Sequence, residues 1–193
     1  MSKPLSEMSL EELWQLFPIQ LEEHDPQWAD WYAEERDRLT GLLPNCIVRI
    51  DHIGSTSVEG LLAKPIVDIL LQVTFEADME DVEELLVADG WLVMARDSAF
   101  GELDLNKGYT PQGFAEKVYH LHVRRKGDWD ELRFRDYLVD NPKARAEYGA
   151  LKTRLLEEHR HDRDAYTAAK TEFITDCVAK AREGEGEYHD AES

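Results

Sequence analysis

Three short stretches hold the residues whose types and spacing can do chemistry. The first is Asp51-His52-Ile53-Gly54-Ser55-Thr56-Ser57, where a strand-like run ends in a small turn. Glycine lets a backbone approach a ligand closely, and successive hydroxyls and N–H groups can cradle phosphate oxygens. The second is Lys64-Pro65-Ile66-Val67-Asp68, whose acid interrupts an apolar run from Ile66 to Leu71. A buried carboxylate is costly unless paired, hydrogen-bonded or metal-bound. Asp68 therefore reads either as an acid satisfied by backbone N–H groups at a strand edge or as a metal or substrate contact. The third is Tyr119-His120-Leu121-His122-Val123. On a strand, His120 and His122 share one face and Leu121 and Val123 the other. Imidazole serves as metal ligand or general base near neutral pH. If that face is shared with Asp68, an acid and two imidazoles converge in one cleft.

Cations flank these stretches. Lys64 adjoins the turn, Arg124, Arg125 and Lys126 follow the histidines, and Arg133 and Arg135 lie on the next helix. Arginine pairs bidentately with phosphate or carboxylate. In so acidic a chain, internal ion pairs account for most of them, and Glu131 and Arg135 are spaced to pair along a helix. Tyr148 and Lys152, like Tyr166 and Lys170, sit one helical turn apart. The tyrosines read as packing residues; the lysines are open to packing or to a cleft. Walker A, Gly-x-Gly-x-x-Gly, Cys-x-x-Cys, His-Glu-x-x-His and Gly-x-Ser-x-Gly patterns are all missing, which removes several common enzyme templates.

The elements that must position these residues follow from periodicity. Ser9-Leu10-Glu11-Glu12 is a capping box ahead of a short helix. Phe17 to Leu21 predicts a strand. Asp25-Pro26 opens a helix that Gly41 and Pro44 close. Cys46 to Ile53 predicts a strand with Cys46, Val48 and Ile50 on one face. Pro65 to Val73 is the strongest strand, with Val67, Ile69, Leu71 and Val73 on a wholly apolar face. Asp78 to Asp89 predicts a helix stopped by Gly90. Trp91 to Ala95 predicts a short strand, residues 97–116 a mobile loop, and Lys117 to Arg124 a further strand. Three helices follow: Asp128 to Asp140, Pro142 to about Glu158, and Asp162 to about Arg182. The layout predicts an α+β domain over residues 1–182 with a mixed sheet and a helical C-terminal third. The tail, 183–193, holds five acids and no Lys or Arg and is expected to be disordered.

The chain has 193 residues, 42% of them hydrophobic, enough for one domain with a core. No apolar run reaches the roughly 18–20 residues of a membrane helix. The N-terminus has no apolar h-region, so no signal peptide is read. Cys46 and Cys177 are expected as reduced thiols in a cytoplasmic protein. A net charge of −19 disfavours broad nucleic-acid binding, though a local basic pocket can still hold a small nucleotide. It also suggests a salt-adapted protein.

Together these residues resemble the GrpB family, which is similar to a branch of the nucleotidyltransferase superfamily. The matching stretches are Asp25-Pro26-Gln27-Trp28, Asp51 to Val58, Gly60-Leu61, Ala63 to Ile69, His120 to Val123, Phe134 to Leu138, Glu147-Tyr148, Leu151-Lys152, Ala165-Tyr166 and Ala169-Lys170. They run in the family's order over roughly residues 20 to 182 and are specific for the family, not for a reaction. The resemblance implies a nucleotidyltransferase-like mixed sheet with flanking helices. It implies that Gly54, Ser55 and Thr56 meet nucleotide phosphates, with Lys64, Arg135 and Lys170 stabilising their charge. It implies Asp68 and His122 as metal ligands, for Mg²⁺ or Mn²⁺, and Asp68, His122 and His120 as catalytic groups. The superfamily places a second acid two residues after the first; here Leu70 stands there. Glu59 and Val139 replace a usual proline and arginine. The implied partner is a nucleotide or other phosphorylated small molecule. The implied activity is nucleotidyl transfer to a small acceptor. The alternative is a non-catalytic nucleotide-binding or partner-modulating domain in a coenzyme A context.

Overall fold

The computed structural model describes residues 3–159 and 162–190. Its sheet has the strand order β1-β2-β5-β4-β3: β1 Ile47–Ile53, β2 Val67–Val73, β3 Leu92–Asp97, β4 Glu102–Thr110 and β5 Gly113–Arg125. β2 and β5 pair in parallel at its centre, and the other neighbours are antiparallel. Helices α1 (Leu10–Leu16) and α2 (Gln27–Leu42) precede the sheet, and α3 (Met79–Ala88) lies between β2 and β3. Helices α4 (Asp130–Asp140), α5 (Pro142–Glu158), α6 (Arg163–Ala168) and α7 (Thr171–Asp190) follow it. This is the α+β mixed sheet that the sequence predicts.

Local chemistry explains the helix starts. Ser9 and Glu12 form the reciprocal capping box of α1. The Asp25 carboxylate accepts from the Gln27 N–H at 2.9 Å, and Asp78 does the same for Glu80. Pro142 opens α5, where its missing N–H has no helical partner to lose.

The core lies on one sheet face. Val67, Ile69, Leu71 and Val73 of β2 join Leu121 and Val123 of β5 and Leu103 and Leu105 of β4. Trp28 and Leu39 of α2 and Val82 and Leu86 of α3 cover them. Each such aliphatic side chain contributes roughly 1.5–3 kcal/mol when fully buried. The opposite face is set by register. One row there reads Ile53, Asp68, His120, Asn106, and the next Asp51, Leu70, His122, Asp104. A second apolar cluster joins Val58 and Leu61 to Leu138, Ala144 and Tyr148, fastening α4 and α5 over this polar face.

Four sequence expectations are corrected. Residues 97–116 are not a loop: β4 and the start of β5 form a hairpin there. Leu103 and Leu105 point into the core between Glu102, Asp104 and Asn106, an alternation hidden by the polar composition. Phe17 to Leu21 is not a strand; only a bridge of Glu22 to Ala63 forms nearby. A β-bulge between Ile47 and Arg49 turns Val48 outward, so Cys46, Val48 and Ile50 do not share one buried face. The last predicted helix is two, α6 and α7, and α7 carries the chain through Asp190. The rest of the expected tail, residues 191–193, lies outside the described residues. Among the described residues no helix is long and apolar enough to cross a membrane.

Candidate functional site

The site grows from the end of β1. Gly54 has φ +70° and ψ −171°, a conformation that L-residues avoid, and a Cβ there would collide with the Asp68 carboxylate. Glycine thus lets the acid of β2 lie directly against the turn. A single 3-10 turn, Ser55–Ser57, follows. Thr56 staples it: its hydroxyl donates to the Ile66 carbonyl at 3.2 Å and accepts from His52 Nε2 at 2.9 Å. Burial holds His52 down to about 4, so it is neutral here. Ser57 Oγ donates to the Gly54 carbonyl at 2.6 Å. Ser55 is left facing the cleft.

Asp68 and the two histidines do share a face, as the spacing predicts. His120 Nδ1 donates to Asp68 Oδ1 at 3.0 Å, and the Tyr109 hydroxyl lies 2.8 Å from His120 Nε2. Both ring nitrogens of His120 are therefore engaged. Burial raises the Asp68 pKa, but the His120 hydrogen bond and the charges of His120, His122 and Lys170 outweigh it, leaving the carboxyl below its ordinary range. His122 is held differently. Its Nδ1 donates to Asp104 Oδ1 at 2.9 Å, and Arg124 also donates to that oxygen at 2.7 Å. Burial opposes the charge of Asp104, yet these two donors bring it down to about 2. Burial pulls the His122 pKa down; the Asp104 hydrogen bond, with the charges of Asp68 and Asp104, leaves it above normal.

Two adjoining cavities meet at Ser55, Asp68, His122 and Lys170. The outer cleft, about 690 Å³, is walled by Trp129, Phe134, Tyr148 and Ile174 from the helical third. The inner chamber, about 340 Å³, is lined by Thr56, His120, Lys64, Lys152 and Tyr166. Lys64 and Lys170 each place Nζ 4.7 Å from the centre of the Tyr166 ring. The buried Tyr166 hydroxyl has no hydrogen-bond partner among the described residues. Lys152 is 3% exposed and donates to Ser55 Oγ at 3.0 Å and to the Leu62 carbonyl.

Gly54, Ser55, Thr56, Lys64, Asp68, His120, His122 and Lys170 thus come together around one cleft. Arg135 is not among its lining residues. Its guanidinium donates to the His52 carbonyl at 3.0 Å and to Asp136 at 2.7 Å, and lies 3.5 Å from Asp51. Sequence reasoning missed Asp104 and Tyr109, both inside the segment read as a loop, and left Lys152 open. Leu70 is fully buried between Asp51 and His122 in its row. The donor set fits an ion shared with a ligand: Asp68 offers one carboxylate, with 27% of its side chain exposed. Mg²⁺ is commonly held by one or two carboxylates plus substrate phosphates. Asp104 is committed to His122 and Arg124, and no group of three or more His, Cys, Asp or Glu is placed to hold a metal among the described residues.

The fold and site define a mixed-sheet α+β protein with a glycine-serine turn set against an acid–histidine strand pair. A family model described as GrpB protein matches residues 18–180, and the chain belongs to the GrpB family. It is 34% identical over 166 residues to a UPF0157 protein of Halalkalibacterium halodurans, covering 84% of this chain and 82% of that one. The crystal structure of the conserved protein GrpB from Enterococcus faecalis superposes with a TM-score of 0.73 at 30% identity, over 86% of this chain and 99% of that one. A fainter likeness, TM-score 0.48 at 13% identity, is to the Cid1 poly(U) polymerase, over 71% of this chain and 44% of that one.

Proposed function

We propose that this protein binds a nucleoside triphosphate in the cleft and transfers its nucleotidyl group to a small acceptor. The observation that carries this reading is the meeting of Ser55, Asp68 and three lysines, Lys64, Lys152 and Lys170, at one cavity in a chain of net charge −19. Local cationic groups at a glycine-bearing turn suit phosphate oxygens. In this reading Ser55 and the backbone at Gly54 orient the phosphates, and the lysines balance their charge. Asp68 and the phosphates together would hold one Mg²⁺ or Mn²⁺, which would neutralise charge on the phosphate oxygens. His122, oriented through Nδ1 by Asp104, would accept the acceptor's proton at Nε2. Tyr109 and His120 would fix the Asp68 carboxylate rather than react.

The test is pyrophosphate release from ATP with Mg²⁺ or Mn²⁺ across a panel of hydroxyl and amine acceptors. Asp68→Asn is expected to lower it at least about 100-fold, since the charge that would anchor the metal, and through it the phosphates, is gone. An unchanged rate removes Asp68 from the mechanism.

The buried Leu70 favours a second reading, a domain that binds nucleotide without turning it over, because two-metal chemistry clamps its ions with more than one carboxylate. A thermal-shift screen of nucleotides and coenzyme A, crossed with divalent metals, separates the two when paired with the turnover assay. Binding without release for any acceptor supports the second reading.

A further inference from the structure

We propose that anion capture in the inner chamber is coupled to a proton, which Lys152 takes up when a polyphosphate enters. This rests on reading the chamber as the phosphate site.

Lys152 Nζ donates to Ser55 Oγ and to the Leu62 carbonyl, and sits 4.8 Å from the centre of the Tyr148 ring. None of these neighbours bears a formal charge. The charged and titratable groups facing it are Lys64 before β2, Lys170 between α6 and α7, Asp68 of β2, and His120 and His122 of β5. Tyr166 of α6 adds a phenol to the same wall. The lysines alone set two cations against one carboxylate, and His120 already binds the carboxylate. A third ammonium at 3% exposure is therefore opposed by desolvation and by like charge. Burial, then Lys170, bring Lys152 down to about 7, with Asp68 resisting and Lys64 assisting.

A polyphosphate reverses this balance. Several negative oxygens between Lys64, Lys170 and Lys152 make the ammonium the favoured form. The nitrogen lone pair takes a proton from solvent, and a new N–H donor faces the anion. The sign follows from linkage. Well below about pH 7 Lys152 is already charged and takes up little on binding. Above it, each bound anion takes up close to one proton, and affinity falls with rising pH by up to about tenfold per unit.

Isothermal titration of inorganic tripolyphosphate and of MgATP, repeated at pH 6 and pH 8 in buffers of different ionisation enthalpy, reads this uptake directly. The expected result is about one proton per anion at pH 8 beyond the uptake at pH 6, after correction for the anion's own ionisation. Lys152→Arg keeps a permanent charge, so it should bind with no Lys152-linked uptake and a flatter pH dependence. Lys152→Met should bind more weakly, also without that uptake. His122 lines the same chamber with a pKa above normal, so the uptake assigned to Lys152 is the part that Lys152→Arg or Lys152→Met removes. Binding at pH 8 with no excess uptake, or uptake unchanged in Lys152→Arg, overturns the inference and leaves the phosphate reading standing. No binding of either anion at either pH overturns both.

Discussion

His120 and His122 lie on one strand face, yet their nitrogens have different duties. His120 is held at both nitrogens, by Asp68 and Tyr109, while His122 is held only at Nδ1 among the described residues. Of the two, His122 has the nitrogen left for chemistry. The other exacting position is Gly54. A Gly54→Ala variant must adopt a conformation that costs roughly 1–3 kcal/mol and must also push the Asp68 carboxylate aside. It is expected to fold with a lowered denaturation midpoint and to lose nucleotide-induced thermal stabilisation; wild-type stabilisation in this variant would show that the close contact is dispensable. Gly54, Ser55 and Asp68 were legible in the sequence because each is a local anomaly, a glycine-hydroxyl turn or an acid inside an apolar run. Asp104 was not. Its meaning comes from a partner on the neighbouring strand, and register across strands is not written in either strand alone.

At the scale of elements, β4 was the chief omission. Its Leu103 and Leu105 carry the strand signal, but Gly, Asp and Asn around them imitate a loop. β2 was legible from its apolar run, and β5 from Lys117 onward from the alternation of His120 and His122 with Leu121 and Val123. β4 contributes the Asp104 ion pair that ties it to β5. Because the Asp104 carboxyl titrates near about 2 in the folded protein, below its ordinary 3.8, this stabilisation is complete above the ordinary value. It is lost as pH falls through about 2. Partial exposure weakens the effect. Unfolding midpoints between pH 2 and 5 should therefore fall more steeply in the wild type than in Asp104→Asn. Equal slopes would show that the pairing adds nothing to stability.

At the scale of the whole molecule, the sequence made the layout legible, a sheet followed by helices, because hydrophobic period changes from strand to helix after residue 128. It left open which sheet face the helices cover, since that depends on the Val58–Leu138–Tyr148 cluster, assembled from distant segments. The charge was plain from composition. With 41 acids against 22 lysines and arginines, like-charge repulsion opposes the compact state. Screening should relieve it, so the unfolding midpoint is expected to rise between low and molar KCl. A fall or no change would mean that ion pairs outweigh the repulsion.

The parallel pairing of β2 with β5 also bears on how the chain reaches this state. β1 and β2 are close in sequence and pair without waiting for anything else. The contact from Asp68 to His120 spans 52 residues, and closing so long a loop is an entropic cost met before any reward. During synthesis the β1–β2 hairpin thus emerges with one side of β2 still open. That side is Val67-Asp68-Ile69-Leu70-Leu71, a row of unpaired amides flanked by aliphatic side chains. Such an edge invites pairing with other chains. Asp68 is the sole charge in that row. The residue proposed to anchor the chemistry is thereby also the one charge that opposes such pairing at the open edge of the nascent hairpin.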